Sequence, residues 1–248
     1  MNAPLAAYAR HQLADYVVSR ALLPLAMIVF IAGFPRLAMS RDMDAAFWSS
    51  PQGVALAKQL FQQSVALFLP LGAFFATSGV ISADREKGYF RFLFSKPVSV
   101  VAFYAQQYVV HGVAFVLLFG ALTWAWGLTT VQQSVLSAMA AAALTWVLVG
   151  GVGFALGALI RHDGPVLAFL YLAGTASQAI AAAGQGVTPG WLVAVSRVLP
   201  PAHALDLTRT ALYDGKPLDA ALLWLVLGYG AAGWIIGCAA LRWRTLQR

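Results

Sequence analysis

The chain has 248 residues, of which 60% are hydrophobic and only 10% charged, and its mean hydropathy is +0.75. Soluble domains are roughly 45–50% apolar, so the composition excludes an ordinary soluble enzyme or binding module. The formal net charge of +7 does not signal nucleic acid, because the basic residues punctuate apolar runs and do not cluster on one solvated face. The single cysteine, Cys238, excludes an internal disulfide framework and a cysteine-based metal site, and reads as a small buried hydrophobe. The opening "MNAPLAAYARHQLADYVVSR" has no small-residue cleavage site after a basic region and an apolar core, so it does not read as a signal peptide.

A membrane span needs about 20 largely apolar residues. By that measure the sequence predicts an all-α integral membrane protein, one domain over residues 1–248, with six transmembrane helices. The first is Val17 to Phe34, where Arg20 near one end can snorkel to the interface. The second is Phe61 to Ser82, with Pro70 inside it. The third is Val101 to Trp126, the fourth Val135 to Ile160, the fifth Pro165 to Ala183 and the sixth Ala220 to Leu241. With both termini cytoplasmic, ten of the sixteen lysines and arginines fall inside and six outside, which sets the orientation. Residues 184–219 then form an extracytoplasmic segment, in which Trp191–Leu199 and Ala204–Tyr213 each read as a short amphipathic helix at the outer interface.

Several patterns resemble chemistry without supporting it. "GYGAAG", Gly228 to Gly233, matches a dinucleotide fingerprint but lies inside the sixth apolar run, with no strand before it. Its glycines, and those of "GGVGFALG" at Gly150 to Gly157, read as surfaces for close helix packing within the chain. No Walker-type phosphate loop and no H-E-x-x-H occur, and "DGKP" at Asp214 is a turn. The four histidines are scattered, which argues against a metal site. His111 falls inside the third span, and a polar intramembrane residue is a functional candidate. With Gln63, Gln107 and Gln178 it could line a translocation path; the same residues could equally bond neighbouring helices.

Residues 83–100 break the pattern. Asp84, Arg85, Glu86, Lys87, Arg91 and Lys96 crowd into a chain that is otherwise poor in charge. Read as a helix, Tyr89, Phe92 and Leu93 share one face, Gly88 permits a turn and Pro97 ends the segment. Such a helix fits a groove on a cytosolic partner, or lies on the lipid surface as a basic anchor.

The order Glu86, Gly88, Leu93, Pro97, Ser99 resembles the cytoplasmic loop of ABC transporter permeases of the type-two (exporter) class, with Tyr89 where that family has threonine. The glycine–lysine pair often seen as the third span begins is replaced near that place by Gln106 and Gln107. Arg10, Leu13, Asp15 and Arg20 resemble the family's N-terminal element, with His11 and Gln12 departing from it. In layout the chain is similar to the permease of nitrous-oxide reductase maturation systems. The resemblance implies an amphipathic interface helix over residues 1–16 and a coupling helix over 83–100, in which Asp84 to Lys87 make charged contacts and Phe92 anchors in the ATPase groove. It implies two separate ATP-binding subunits, which carry ATP and Mg, and a second permease chain, identical or a paralogue. It also implies lipid as the surrounding partner, a bacterial cytoplasmic membrane and export of an amphiphilic, peptide, lipid or drug-like substrate. This chain itself would bind no cofactor and catalyse no reaction. Two other readings stand beside it. One is a membrane scaffold or assembly factor, and the other a lipid-modifying enzyme built on His203, Asp206, Arg209 and Asp219.

Overall fold

The computed structural model describes residues 3–20, 47, 50–86, 99–129, 132–183 and 190–246. All regular elements among them are helices. Helix α1 (Ala3–Asp15) runs into a π turn at Tyr16–Arg20. Helix α2 (Pro51–Thr77) breaks at Ser78–Gly79 and resumes as α3 (Val80–Glu86). Helix α4 is Val100–Thr129. Helix α5 (Val135–Thr145) continues through a π turn, Trp146–Gly150, into α6 (Gly151–Leu159). Helix α7 is Asp163–Ala183, α8 Gly190–Val198, α9 Ala202–Asp214 and α10 Ala220–Leu246.

Among the described residues, four stretches are long and apolar enough to cross a membrane: Pro51–Glu86, Val100–Leu128, Val135–Leu159 and Ala220–Trp243. They coincide with the second, third, fourth and sixth expected spans. The fifth, Pro165–Ala183, is helical as part of α7. The first falls almost wholly in residues 21–46, outside the described residues. The surface supports a membrane protein. Leu67, Val113, Leu117, Phe169, Trp224 and Ile235 are all more than half exposed, an apolar exterior that water would not tolerate over so many helices.

The second span differs from its expected start at Phe61. The helix begins ten residues earlier because Ser50 caps it: the Ser50 hydroxyl oxygen accepts the Gly53 N–H at 3.2 Å, and Pro51 occupies the first turn, where no donor is needed. Pro70 is buried within α2 and does not end it. Helix α2 alone, at 27 residues, is about 40 Å long, more than the roughly 30 Å of hydrocarbon.

The α5–α6 rod and α10 cross with their backbones in contact. A Cβ at Gly230 would lie 2.2 Å from the Val147 carbonyl oxygen, and one at Gly151 would lie 2.2 Å from the Gly230 oxygen. Gly233 meets Gly151, and Gly237 meets Phe154. The glycine runs are thus an internal packing seam, as their spacing suggests. Around it sits the main core, including Phe61, Leu69, Phe115, Ala142 and Trp146.

The two short helices expected before the last span are present as α8 and α9. Helix α9 buries Ala204 and Leu205 against Leu144, Leu148 and Val226 of the rod and α10, so it is part of the bundle. It stops at Gly215, which adopts φ +66°, while the Lys216 N–H bonds the Ala211 carbonyl at 2.9 Å.

Candidate functional site

The charged stretch of the sequence opens at α3, and its first members are tied to the body of the bundle. The Arg85 guanidinium donates to the Gly157 and Ala158 carbonyls at 3.2 and 3.1 Å. Those carbonyls belong to the last turn of α6, which has no intrahelical donors left for them, and a cation there also suits the negative end of the helix dipole. The Tyr104 hydroxyl on α4 donates to Asp84 Oδ2 at 3.1 Å. Arg161, in the turn between α6 and α7, donates through Nε to Glu86 Oε1 at 2.7 Å. That hydrogen bond, with the charge behind it, holds the Glu86 carboxyl below its ordinary 4.5.

A second carboxylate completes the junction from the opposite side. Asp163 opens α7 and is 4% exposed. Its Oδ2 accepts the Gly79 N–H at 3.0 Å and its Oδ1 accepts the Ser82 hydroxyl at 2.9 Å. The break in the second span, with Gly79 at φ +73°, is therefore stitched to the start of the fifth expected span. Arg85 closes the end of α6 while Asp163 closes the start of α3, so two adjoining chain breaks supply each other's missing partners. Asp163 was not among the residues singled out from sequence. An aspartate opening an apolar helix, in a turn as short as "RHDG", is the signal that points to it.

Lys87, Gly88, Arg91, Phe92 and Pro97 lie outside the described residues. The junction is thus the base of the proposed coupling segment, seen up to Glu86.

Helix α1 lies along α4, running in the same direction. Tyr8 meets Phe103 edge to face at 5.6 Å, the Gln12 amide donates to the Phe103 carbonyl at 3.5 Å, and Tyr16 meets His111 at 5.2 Å. The contact stripe is Tyr8, Gln12 and Tyr16, at four-residue spacing. Arg10, Leu13 and Asp15 point away and are exposed; the Arg20 side chain lies outside what the structure describes. Sequence reasoning singled out the exposed members and missed the stripe, although the spacing was there to read.

Of the four residues considered for a polar path, two come together. Gln107 and His111 line a cavity of about 20 Å³ with Thr77, Tyr104 and Trp146. Gln63 is exposed on α2, at the opposite end of the bundle from the junction, and Gln178 lies on α7 with its side chain outside the described set.

The residues considered for lipid chemistry have other work. Arg209, buried on α9, pairs with Asp206 one turn before it. The Asp219 carboxylate accepts the Ala221 N–H at 2.8 Å, at the start of α10. His203 is exposed. Near the same end of the bundle, Asp214 takes hydrogen bonds from Lys216 at 2.8 Å and Gln62 at 3.3 Å, which lower its pKa and pin α9 to α2. Among the described residues, no three His, Cys, Asp or Glu side chains gather as a metal site would require.

No protein-family model matches this chain, and no curated protein matches it.

Proposed function

We propose that this chain is the membrane-spanning permease subunit of an ATP-driven ABC transporter of the type-two class. On this reading it has six spans, with the first over 17–34 and the fifth on α7, and both termini are cytoplasmic in a bacterial inner membrane. Residues 83–100 form the coupling element for a separate ATP-binding subunit, present in two copies and carrying ATP and Mg. A second permease chain completes the pathway, and the substrate is an amphiphile, peptide, lipid or drug-like molecule moved outward.

The observation that carries this reading is the junction beneath the segment. Movement of residues beyond Glu86 reaches α4 through Asp84–Tyr104, α6 through Arg85, and the α6–α7 turn through Glu86–Arg161. A lever with three separate attachments at its base distributes a push over the bundle. A lipid-surface anchor needs none of them. The charges at Asp84, Arg85 and Glu86 then brace the lever, and partner contact falls to the residues beyond.

The same bracing supports a second reading, a rigid membrane scaffold or assembly factor without transport. The two differ in what comes with the chain. Affinity purification from the native membrane in mild detergent, followed by mass spectrometry, should yield a chain with a Walker-type phosphate loop in roughly equal amount. ATP hydrolysis by that pair should drop in an Arg85→Ala variant that keeps the pair assembled. Recovery of this chain without such a partner, even after mild cross-linking, would remove the transporter reading and leave the scaffold.

A further inference from the structure

The start of α4 and the end of α10 leave an open groove between them. Its volume is about 760 Å³, within the roughly 300–1,000 Å³ of small-molecule sites. Ile235, Cys238, Ala239 and Arg242 line it from α10. They are spaced i, i+3, i+4 and i+7, so they form one stripe that runs about 10 Å along the helix. The two middle members are small and make a concave floor. Val100 and Val101 of α4 supply the other wall. The groove lies at the junction end of the bundle, because Val100, Val101 and Cys238 pack on a buried cluster that includes Ile81, Tyr104 and Leu241.

Polarity changes along the groove. Ile235 lies inside the span Ala220–Trp243 and is 59% exposed, whereas Arg242 sits in the last turn of that span beside Trp243, which is 68% exposed. An exposed tryptophan next to an arginine at the end of an apolar helix marks the depth of lipid headgroups. Ser99, just before α4, brings a hydroxyl to the same end. Among the described residues no Asp or Glu lines the groove, so the side-chain charge it offers is positive. Apolar walls at hydrocarbon depth and a cation at headgroup depth suit an amphiphile with an anionic head. We propose that the groove binds an anionic phospholipid, with one acyl chain along the α10 stripe and the two valines, and the phosphate beside Arg242.

The cation sets the preference among lipids. A zwitterionic lipid fills the same apolar walls, but its own cation offsets the attraction of its phosphate to Arg242. Binding needs only that α4 and α10 cross a bilayer, whether or not the chain transports anything. The lipid then bridges the two helices at the end where Tyr104, one turn beyond Val100 and Val101, holds Asp84.

Cys238 is the single cysteine of the chain and lines the groove, so it reports occupancy without any substitution. The full chain is stripped of lipid in mild detergent, and phosphatidylglycerol or phosphatidylcholine is added back. Native mass spectrometry measures bound lipid, and alkylation of Cys238 by N-ethylmaleimide reads whether the groove is filled. Phosphatidylglycerol should bind more tightly than phosphatidylcholine and slow the alkylation. Arg242→Gln should weaken phosphatidylglycerol binding about fivefold, the effect of removing one cation near an anionic headgroup, and leave phosphatidylcholine unchanged. Arg242 is an exposed side chain near a helix end, so the variant should fold. Equal binding of the two lipids, undiminished binding in Arg242→Gln, or alkylation that bound lipid does not slow would overturn the proposal. Slow alkylation in lipid-free detergent, unaltered by added lipid, would show that residues 87–98 or a second copy of the chain cover the groove, and would overturn it as well.

Discussion

Gly230 and Gly151 face each other at a distance that admits no side chain, and the cost of one extra methyl group can be stated. A Cβ at Gly230 would sit 2.2 Å from a backbone oxygen, which cannot rotate away as a side chain would. Overpacking of this kind costs roughly 3 kcal/mol. Gly230→Ala should therefore unfold at distinctly lower denaturant in a detergent unfolding assay. Gly228→Ala, with nothing near its added Cβ, should leave the midpoint nearly unchanged. Equal midpoints for the two would show that the seam does not hold α10 to the rod. Glu86 makes a second prediction at this scale. Its pKa is depressed mainly by the hydrogen bond from Arg161, so the favourable contribution of the pair is complete above about 4.5 and is lost as pH falls through the lower folded value. Carboxyl titration by NMR should place the Glu86 midpoint below 4.5 in the unaltered chain and return it toward 4.5 in Arg161→Gln. Both partners are substantially exposed, so global stability should hardly respond. An unchanged midpoint in Arg161→Gln would show that the pair does not form.

At the scale of elements, the break between α2 and α3 matters more than either helix alone. Gly79 has φ +73° and open space where a Cβ would go, so a substitution there is opposed by backbone strain and not by crowding. Strain of this kind costs an L-residue roughly 1–2 kcal/mol, and asparagine tolerates the left-handed region better than alanine. Gly79→Ala should lower Tm, and Gly79→Asn should lower it less. The reverse order would mean that the break is not held in this conformation. Helix α1 shows how an element can be found in sequence while its face is misjudged. Charge drew attention to Arg10 and Asp15, while the packing runs through Tyr8, Gln12 and Tyr16. In a chain with so few charges, the polar and aromatic residues at helical spacing were the better guide to what is buried.

For the whole molecule, the elements alternate between two ends. Glu86, Arg161 and Tyr104 of α4 share one end, while Lys216, Asp214 and Gln62 of α2 share the other. Single cysteines placed in a Cys238→Ser background should report this directly. Arg161→Cys should react with a membrane-impermeant maleimide from one side only, and Lys216→Cys from the opposite side only. Labelling of both from the same side would contradict a membrane-spanning arrangement of the rod. The same experiment in inverted vesicles tests whether the junction faces the cytoplasm.

Composition and run length alone determined that the chain is helical and built for a membrane, and they located the cores of the second, third, fourth and sixth expected spans. The physical reason is that hydrocarbon imposes a length and a polarity on whatever crosses it, and both are written locally in the chain. Helix ends were less legible, as Ser50 shows, because a cap acts outside the apolar run it starts. The pairing of Asp163 with Gly79 and Ser82, the reach of Arg85 to the end of α6 and the meeting of Tyr108 with Trp146 were decided only by the tertiary structure. Each joins residues that are distant in the chain. No local pattern records which helix end will lie beside which, since that choice is made by the glycine seam and the packed core acting together.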